Sequence, residues 1–194
     1  MLRLAGGMYD GCEELELYEI YDARQKPVIA AVDAYVAELR SNIEHGRGLL
    51  FCGPAGTGKD HLAMHVALAA ILERNRGAWY WTAVDLLAEL ADRSREAQCM
   101  TRLSHQHVAV ISDLAPCGEP WPNWKAAHLL NAIDARYRHR LPIVATINVA
   151  GRDQLERCLS VPVADRLLER CDVLDCTWPS WRQREAEARS EGTA

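Results

Sequence analysis

Five short, mainly apolar runs punctuate this chain, at residues 48–52, 78–82, 107–113, 142–148 and 172–176. Each is too short for a stable helix, which reads as a strand buried within a sheet. Between them the apolar spacing shifts to a repeat near 3.6 residues. Pro27 opens a helix with Val28, Ile29, Val32, Val36 and Leu39 on its apolar face. A second face holds Leu62, Ala63, Val66, Ala67, Ala70 and Ile71. Residues 84–106 read as two helices and 163–170 as another. A helix carrying Leu129, Leu130, Ile133 and Tyr137 begins at Asn123, which can cap it, after a loop over 116–122 that contains Gly118. Strands alternating with helices predict an α/β fold, a parallel sheet covered on both faces.

The turn after the first strand carries the most specific chemistry. It reads Gly53-Pro54-Ala55-Gly56-Thr57-Gly58-Lys59-Asp60. This is the phosphate-loop pattern G-x-x-x-x-G-K-[ST] with its last residue changed. The glycines let backbone N–H groups turn inward around phosphate oxygens, the lysine reaches the β/γ-phosphates, and the terminal hydroxyl ordinarily holds Mg²⁺. Strand, glycine loop and helix in that order aim a helix N-terminus at an anion. Asp60 stands where the hydroxyl belongs.

Composition narrows the setting. The chain has 194 residues, 49% apolar and 25% charged, enough for one domain with a core. Its formal charge of −5 is concentrated: residues 1–22 hold six carboxylates and one arginine, and the remainder carries 21 basic and 21 acidic residues. A strongly basic nucleic-acid protein is excluded, a local basic surface is not. The acidic stretch reads as a solvated arm, with docking to a partner as the alternative. It is neither a secretory signal nor a basic transit peptide, and no apolar run approaches the roughly 18 residues of a membrane span, so a cytoplasmic protein is expected. Cysteines stand at 12, 52, 99, 117, 158, 171 and 176 without a CxxC pair, and are read as reduced thiols. His61/His65 and His105/His107 lack a third ligand, so no zinc site is expected.

Taken in order, these residues resemble AAA+ ATPases of the DnaC/IstB type, the helicase loaders and transposition helpers of bacteria and phages. The carriers are the run from the phosphate loop into His61-Leu62-Ala63, the segment Thr82-Ala83-Val84-Asp85-Leu86-Leu87, Ala135-Arg136-Tyr137-Arg138, and Trp178-Pro179-Ser180-Trp181-Arg182. The resemblance spans about residues 25–185. It implies a P-loop NTPase of the AAA+ type: a five-stranded parallel sheet flanked by helices, without a separate lid domain. The organisation expected is an acidic arm over 1–26, an ATP-binding domain over 27–185 and a tail over 186–194. Loaders carry a helical domain that 1–26 can hardly form.

Site residues follow by position. Gly53, Pro54, Ala55, Gly56, Thr57, Gly58, Lys59, Asp60 and His61 would line ATP, with Arg182 as a second sensor arginine. Asp113 falls where a base orients the attacking water, and Asn148, after Thr146 at the strand end, where a polar residue senses γ-phosphate. Arg166 matches the arginine that reaches into a neighbouring subunit's site, which implies self-association; its bland alternative is a surface arginine paired with Glu169 or Asp165. The partners implied are single-stranded DNA and a replicative helicase or transposase.

Two departures meet at the metal. The loop hydroxyl is replaced by Asp60, and the first of the usual two strand-end carboxylates is Ser112. Either the two have exchanged places, so that Asp60, Ser112 and Asp113 hold Mg²⁺, or the site is degenerate and the protein is a nucleotide-binding assembly factor without turnover. A kinase on a phosphate loop would need a basic lid that no segment supplies. Arg93, Arg95 and Arg102, then Arg136, Arg138 and Arg140, are candidates to face DNA, and Trp121 and Trp124 to stack bases or cover a subunit contact; a solvated face and core packing are the competing readings.

Overall fold

The computed structural model describes residues 18–72, 76–115 and 120–191. Most of the acidic arm, Cys12, Cys117 and most of the predicted 116–122 loop lie outside these. Strands β1 (Gly48–Cys52), β2 (Ala78–Thr82), β3 (Val108–Ser112), β4 (Ile143–Ile147) and β5 (Cys171–Asp175) form one sheet in the order β2-β3-β4-β1-β5. Every pairing is parallel. The third, fourth and fifth strands end within a residue of the predicted bounds.

Strand alternation divides the core in two. Leu50 and Cys52 point to one face, where α4 (Ala83–Ala91), α5 (Glu96–His105), α6 (Asn123–Arg138), α7 (Arg152–Leu159) and α8 (Val161–Arg170) supply Leu86, Leu103, Leu129, Leu155 and Leu167. Leu49 and Phe51 point to the other, against α1 (Gln25–Ala37), α2 (Leu39–His45) and α3 (Lys59–Leu72). Because both faces are covered, the central strands are apolar throughout rather than alternating. Helix α3 is buried nearly all round, from Leu62 through Ala70, so it sits as a packed layer.

Local chemistry departs from expectation in several places. The first helix breaks at Glu38, and α2 follows as a separate helix of about two turns. Asn123 is the first residue of α6 and Pro122 takes the cap position, with no side-chain cap bond; proline's fixed φ already presets the entry. Helix α7 was not expected: it is mainly polar, and only Leu155, Cys158 and Leu159 reach the core, where it packs beside α8. Helix α9 (Trp181–Glu191) runs through the boundary drawn at residue 185.

Arg136 is the clearest correction. Read as a candidate for DNA, it is fully buried. Its guanidinium donates to the carbonyls of Leu103 (2.7 Å), Gln106 (2.9 Å), His107 (3.1 Å) and Pro142 (2.6 Å). It therefore closes the end of the sheet where β3 and β4 begin. Burial pushes its pKa down from the ordinary arginine value. Trp121 is likewise buried, its indole N–H donating to the Leu114 carbonyl at 2.7 Å, so it is not a base-stacking surface. Arg102 lies over the Trp79 ring and pairs with Glu89 at 3.0 Å, and Arg95 pairs with Asp92. Trp124 remains half exposed, beside Lys125 and His128.

Candidate functional site

The site is built at the carboxyl ends of β1, β3 and β4, where adjacent connections leave the sheet in different directions and open a crevice. The loop from Gly53 to Gly58 leaves β1 and delivers Lys59 to the first turn of α3. Gly53 has φ 143°, and a Cβ there would run into the Cys176 carbonyl. At Gly58, φ is 81° and a Cβ would lie 2.8 Å from the Tyr18 ring. Only glycine serves at these two points.

The loop is held from both ends of the chain. The Thr57 carbonyl accepts from the Trp178 indole at 2.8 Å and from the Tyr18 hydroxyl at 3.2 Å. The Trp181 amide donates to the Gly56 carbonyl at 2.8 Å. Tyr21 donates to the Pro179 carbonyl at 2.6 Å and its ring meets Trp181, while Glu19 and Arg184 pair at 3.3 Å. The described part of the acidic arm thus packs Tyr18 and Tyr21 along residues 177–184 and over the loop, while Glu19 and Ile20 stay exposed. Tyr18, Glu19, Tyr21, Thr57, Gly58, His61 and Trp181 enclose a cavity of about 170 Å³ beside the phosphate loop. His61 faces Tyr18, ring centroids 5.4 Å apart, and burial lowers its pKa.

Lys59 is almost wholly buried. Its ammonium donates to the carbonyls of Gly53 (3.0 Å) and Pro54 (2.7 Å). Burial draws its pKa down, against the opposing pull of nearby Asp60 and Asp113. An ammonium bonded to neutral carbonyls in a dry pocket has not found its anion, and phosphate oxygens would offer it a better partner.

The two departures from the phosphate-loop pattern meet. The Ser112 hydroxyl donates to Oδ1 of Asp60 at 2.7 Å. The Thr146 hydroxyl, which the sequence reading passed over, donates to the same oxygen at 2.7 Å. Asp113, next along the chain, is exposed and has φ 53°, a left-handed conformation that costs most residues about 1–3 kcal/mol. Its Oδ1 accepts from the Asn148 side-chain amide at 2.8 Å. Burial and the neighbouring Asp60 raise the Asp113 pKa, which Asn148, Lys59 and Arg182 partly offset. Lys59, Asp60, Ser112, Asp113 and Asn148 are therefore one cluster, with Arg182 within electrostatic reach. A carboxylate flanked by hydroxyls and a second carboxylate, all oxygen donors, suits a hard divalent cation.

Arg166 stands apart from this cluster. Its guanidinium takes two bonds to Oδ1 of Asp134, both 2.9 Å, and one to the Pro162 carbonyl at 2.9 Å. Its ion-pair partner is Asp134 on α6, not Glu169 or Asp165; Glu169 instead accepts from the Tyr137 hydroxyl at 2.7 Å. Among the described residues no group of three or more metal-ligating His, Cys, Asp or Glu side chains is gathered, and no helix is long and apolar enough to cross a membrane. The buried thiols of Cys52 and Cys176, near Lys59, are pushed up to about 12 by burial and are unreactive.

A family model described as IstB-like ATP binding protein matches residues 14–189. A putative ATP-binding protein of insertion sequence IS5376 from Geobacillus stearothermophilus is 31% identical over 157 residues, covering 78% of this chain and 61% of that protein. The corresponding protein of IS232 from Bacillus thuringiensis subsp. berliner is 28% identical, over 72% of this chain and 57% of its own length. The chain thus spans about three fifths of the curated relatives it matches. Among solved structures, the DnaC helicase loader superposes with a TM-score of 0.73 at 23% identity, over 83% of this chain and 94% of that one. That likeness supports the fold: a P-loop AAA+ architecture.

Proposed function

The chain belongs to the family of IstB-like ATP-binding proteins, and from that premise we propose that it is an AAA+ ATPase that helps a transposase act on DNA, with its triphosphate seated on Gly53–Lys59 and hydrolysed slowly. Transposition is favoured over helicase loading because insertion-sequence ATP-binding proteins reach 28–31% identity with this chain, against 23% for the helicase loader. The name of the structural neighbour, a helicase loader, carries the second reading.

The observation that carries the reading is the 2.7 Å bond between Ser112 and Asp60. Two residues 52 apart, each wrong for its position alone, meet at the one place where a hydroxyl and a carboxylate belong beside the same ion. In the proposed site Lys59 leaves the Gly53 and Pro54 carbonyls for the β/γ-phosphates. Asp60, Ser112 and Asp113 would hold Mg²⁺, which supplies charge neutralisation at the phosphate oxygens. Asp113 accepts a proton from the attacking water, and Asn148, bonded to it, keeps its carboxylate turned inward. The cavity between Tyr18, His61 and Trp181 accommodates the nucleoside. Arg166 completes a neighbouring protomer's site once assembly separates it from Asp134.

The test is Mg-ATP affinity of wild type, Asp60→Thr, Ser112→Asp and the double variant. Each single change leaves the ligand set with too little or too much negative charge beside a polyphosphate. The double variant restores the common arrangement and recovers Mg²⁺-dependent binding, with a coupling of about 0.5–3 kcal/mol. Additive losses mean that the positions share no ion. Binding without Mg²⁺ dependence and without phosphate release in wild type establishes the alternative, an assembly factor with a degenerate site.

A further inference from the structure

We propose that Thr146 is a positioning residue of this site: it ties the Asp60 carboxylate to the backbone of Asp113, so that the loop-borne and strand-borne acids move as one unit. The inference rests on the nucleotide site proposed above.

Thr146 is fully buried near the end of β4, beside Ser112 on the neighbouring strand. A threonine hydroxyl has one proton to give, and this one goes to Oδ1 of Asp60 at 2.7 Å. The Thr146 hydroxyl oxygen in turn accepts from the Asp113 amide at 3.0 Å. The Thr146 carbonyl accepts from the next amide, Leu114, at 2.9 Å. One residue therefore satisfies two successive amides just after β3 has left its ladder, and holds an acid from a different element.

The two bonds to Asp60 from Ser112 and Thr146 fall on a single oxygen, which fixes the rotation of that carboxylate. Asp113 sits in the left-handed region at φ 53°, which aspartate visits more readily than most residues but still only as an isolated residue. Such a conformation persists when the surroundings over-determine it. The Asp113 carboxylate gets its direction from two constraints: Asn148 on the side chain and Thr146 on the amide. Here the hydroxyl's one proton is spent on Asp60 and one of its lone pairs on the Asp113 amide, so its role is to place others.

The chemistry also explains why the device suits an exchanged site. A hydroxyl on the loop would present the cation with a neutral, short ligand. Asp60 brings a charged, longer side chain with more rotational freedom, and a second donor at Thr146 removes that freedom before nucleotide arrives. Preorganisation of this kind lowers the ordering cost of binding.

The experiment compares Thr146→Val, an isostere without the hydroxyl, with Thr146→Ser, which keeps it. Amide hydrogen exchange on the nucleotide-free proteins reads the backbone contact, and calorimetry reads nucleotide affinity in Mg²⁺ and in EDTA. Thr146→Val is expected to lose protection at the Asp113 amide and to weaken Mg-ATP binding by about tenfold or more, the scale of one buried polar group left unpaired. Its affinity in EDTA stays within about twofold of wild type, and Thr146→Ser restores both readouts. An unchanged Asp113 amide, an equal loss in both buffers, or failure of serine to rescue overturns the proposal. If wild type binds no nucleotide in either buffer, the functional reading fails, and the exchange result alone decides whether Thr146 holds Asp113.

Discussion

The two ends of the sheet solve the same problem in opposite ways. Both must satisfy polar groups where strands stop and loops begin. At the end where β3 and β4 start, the Arg136 guanidinium saturates four carbonyls, all at 3.1 Å or less, and no carboxylate balances its charge. At the other end, Asp60, Ser112, Thr146, Asp113 and Asn148 share a chain of bonds around an acid, beside a left-handed aspartate and an ammonium resting on carbonyls. The first arrangement is nearly closed: both terminal nitrogens of the guanidinium are paired, and only its buried Nε has no hydrogen-bond partner among the described residues. The second keeps two carboxylates close together and a buried cation without an anion, so a bound metal and polyphosphate would relieve it. On the proposed function, the closed end serves stability and the other end serves ligand binding.

The largest effect expected tests the closed end. Arg136→Met removes the donor from the carbonyls of Leu103, Gln106 and His107, and leaves that of Pro142 with only the Ala109 amide at 3.5 Å. Each unpaired buried group costs roughly 1–3 kcal/mol, and partial relaxation brings the total to about 3–5 kcal/mol, most of a typical domain's stability. Urea unfolding measures it, and nucleotide affinity per folded molecule stays unchanged. Loss of affinity without loss of stability would invert the comparison.

Lys59→Ala is the mirror experiment. Nucleotide binding is lost while the urea midpoint shifts little or rises, because a cation buried among carbonyls is removed. Unchanged affinity would remove the phosphates from this loop.

A third prediction asks whether the active end is complete within one chain. Fingers supplied across a boundary contribute roughly 10³-fold or more to turnover. Mixing Lys59→Ala with Arg166→Ala protein is expected to recover phosphate release through hybrid sites that hold both groups. No recovery, where wild type turns over, leaves Arg166 as a structural partner of Asp134.

The smallest effect is a pH dependence. Burial and Asp60 hold the Asp113 pKa above its unfolded value. The stabilisation linked to the protonated form is present below the unfolded pKa and lost as pH rises through the raised folded value, so ionised Asp113 is a cost at neutral pH. Asp113→Asn keeps the bond from Asn148 and tolerates φ 53°. Without nucleotide it is expected to be slightly more stable than wild type at pH 7, with the gap closing as pH falls through the carboxylate range. A gap that widens on acidification contradicts the stated cause.

The sequence by itself determined the five strands, the parallel α/β architecture and the phosphate loop. These are local or periodic properties: a strand buried on both faces must be apolar throughout, and a loop that wraps phosphate must have glycine where a Cβ cannot fit. It also marked Asp60 and Ser112 as misfits, since each breaks a pattern at a known position. The phosphate-loop pattern placed both beside one ion site, but only the tertiary structure decided that their side chains bond to each other, across a separation of 52 positions. Arg136 looked like any basic residue near a helix end: its burial depends on the carbonyls of residues 103–107, about thirty positions away, converging with that of Pro142, and a side-chain type says nothing of that. Thr146 left no signal at all, as one hydroxyl in an apolar strand is unremarkable until two acids meet around it.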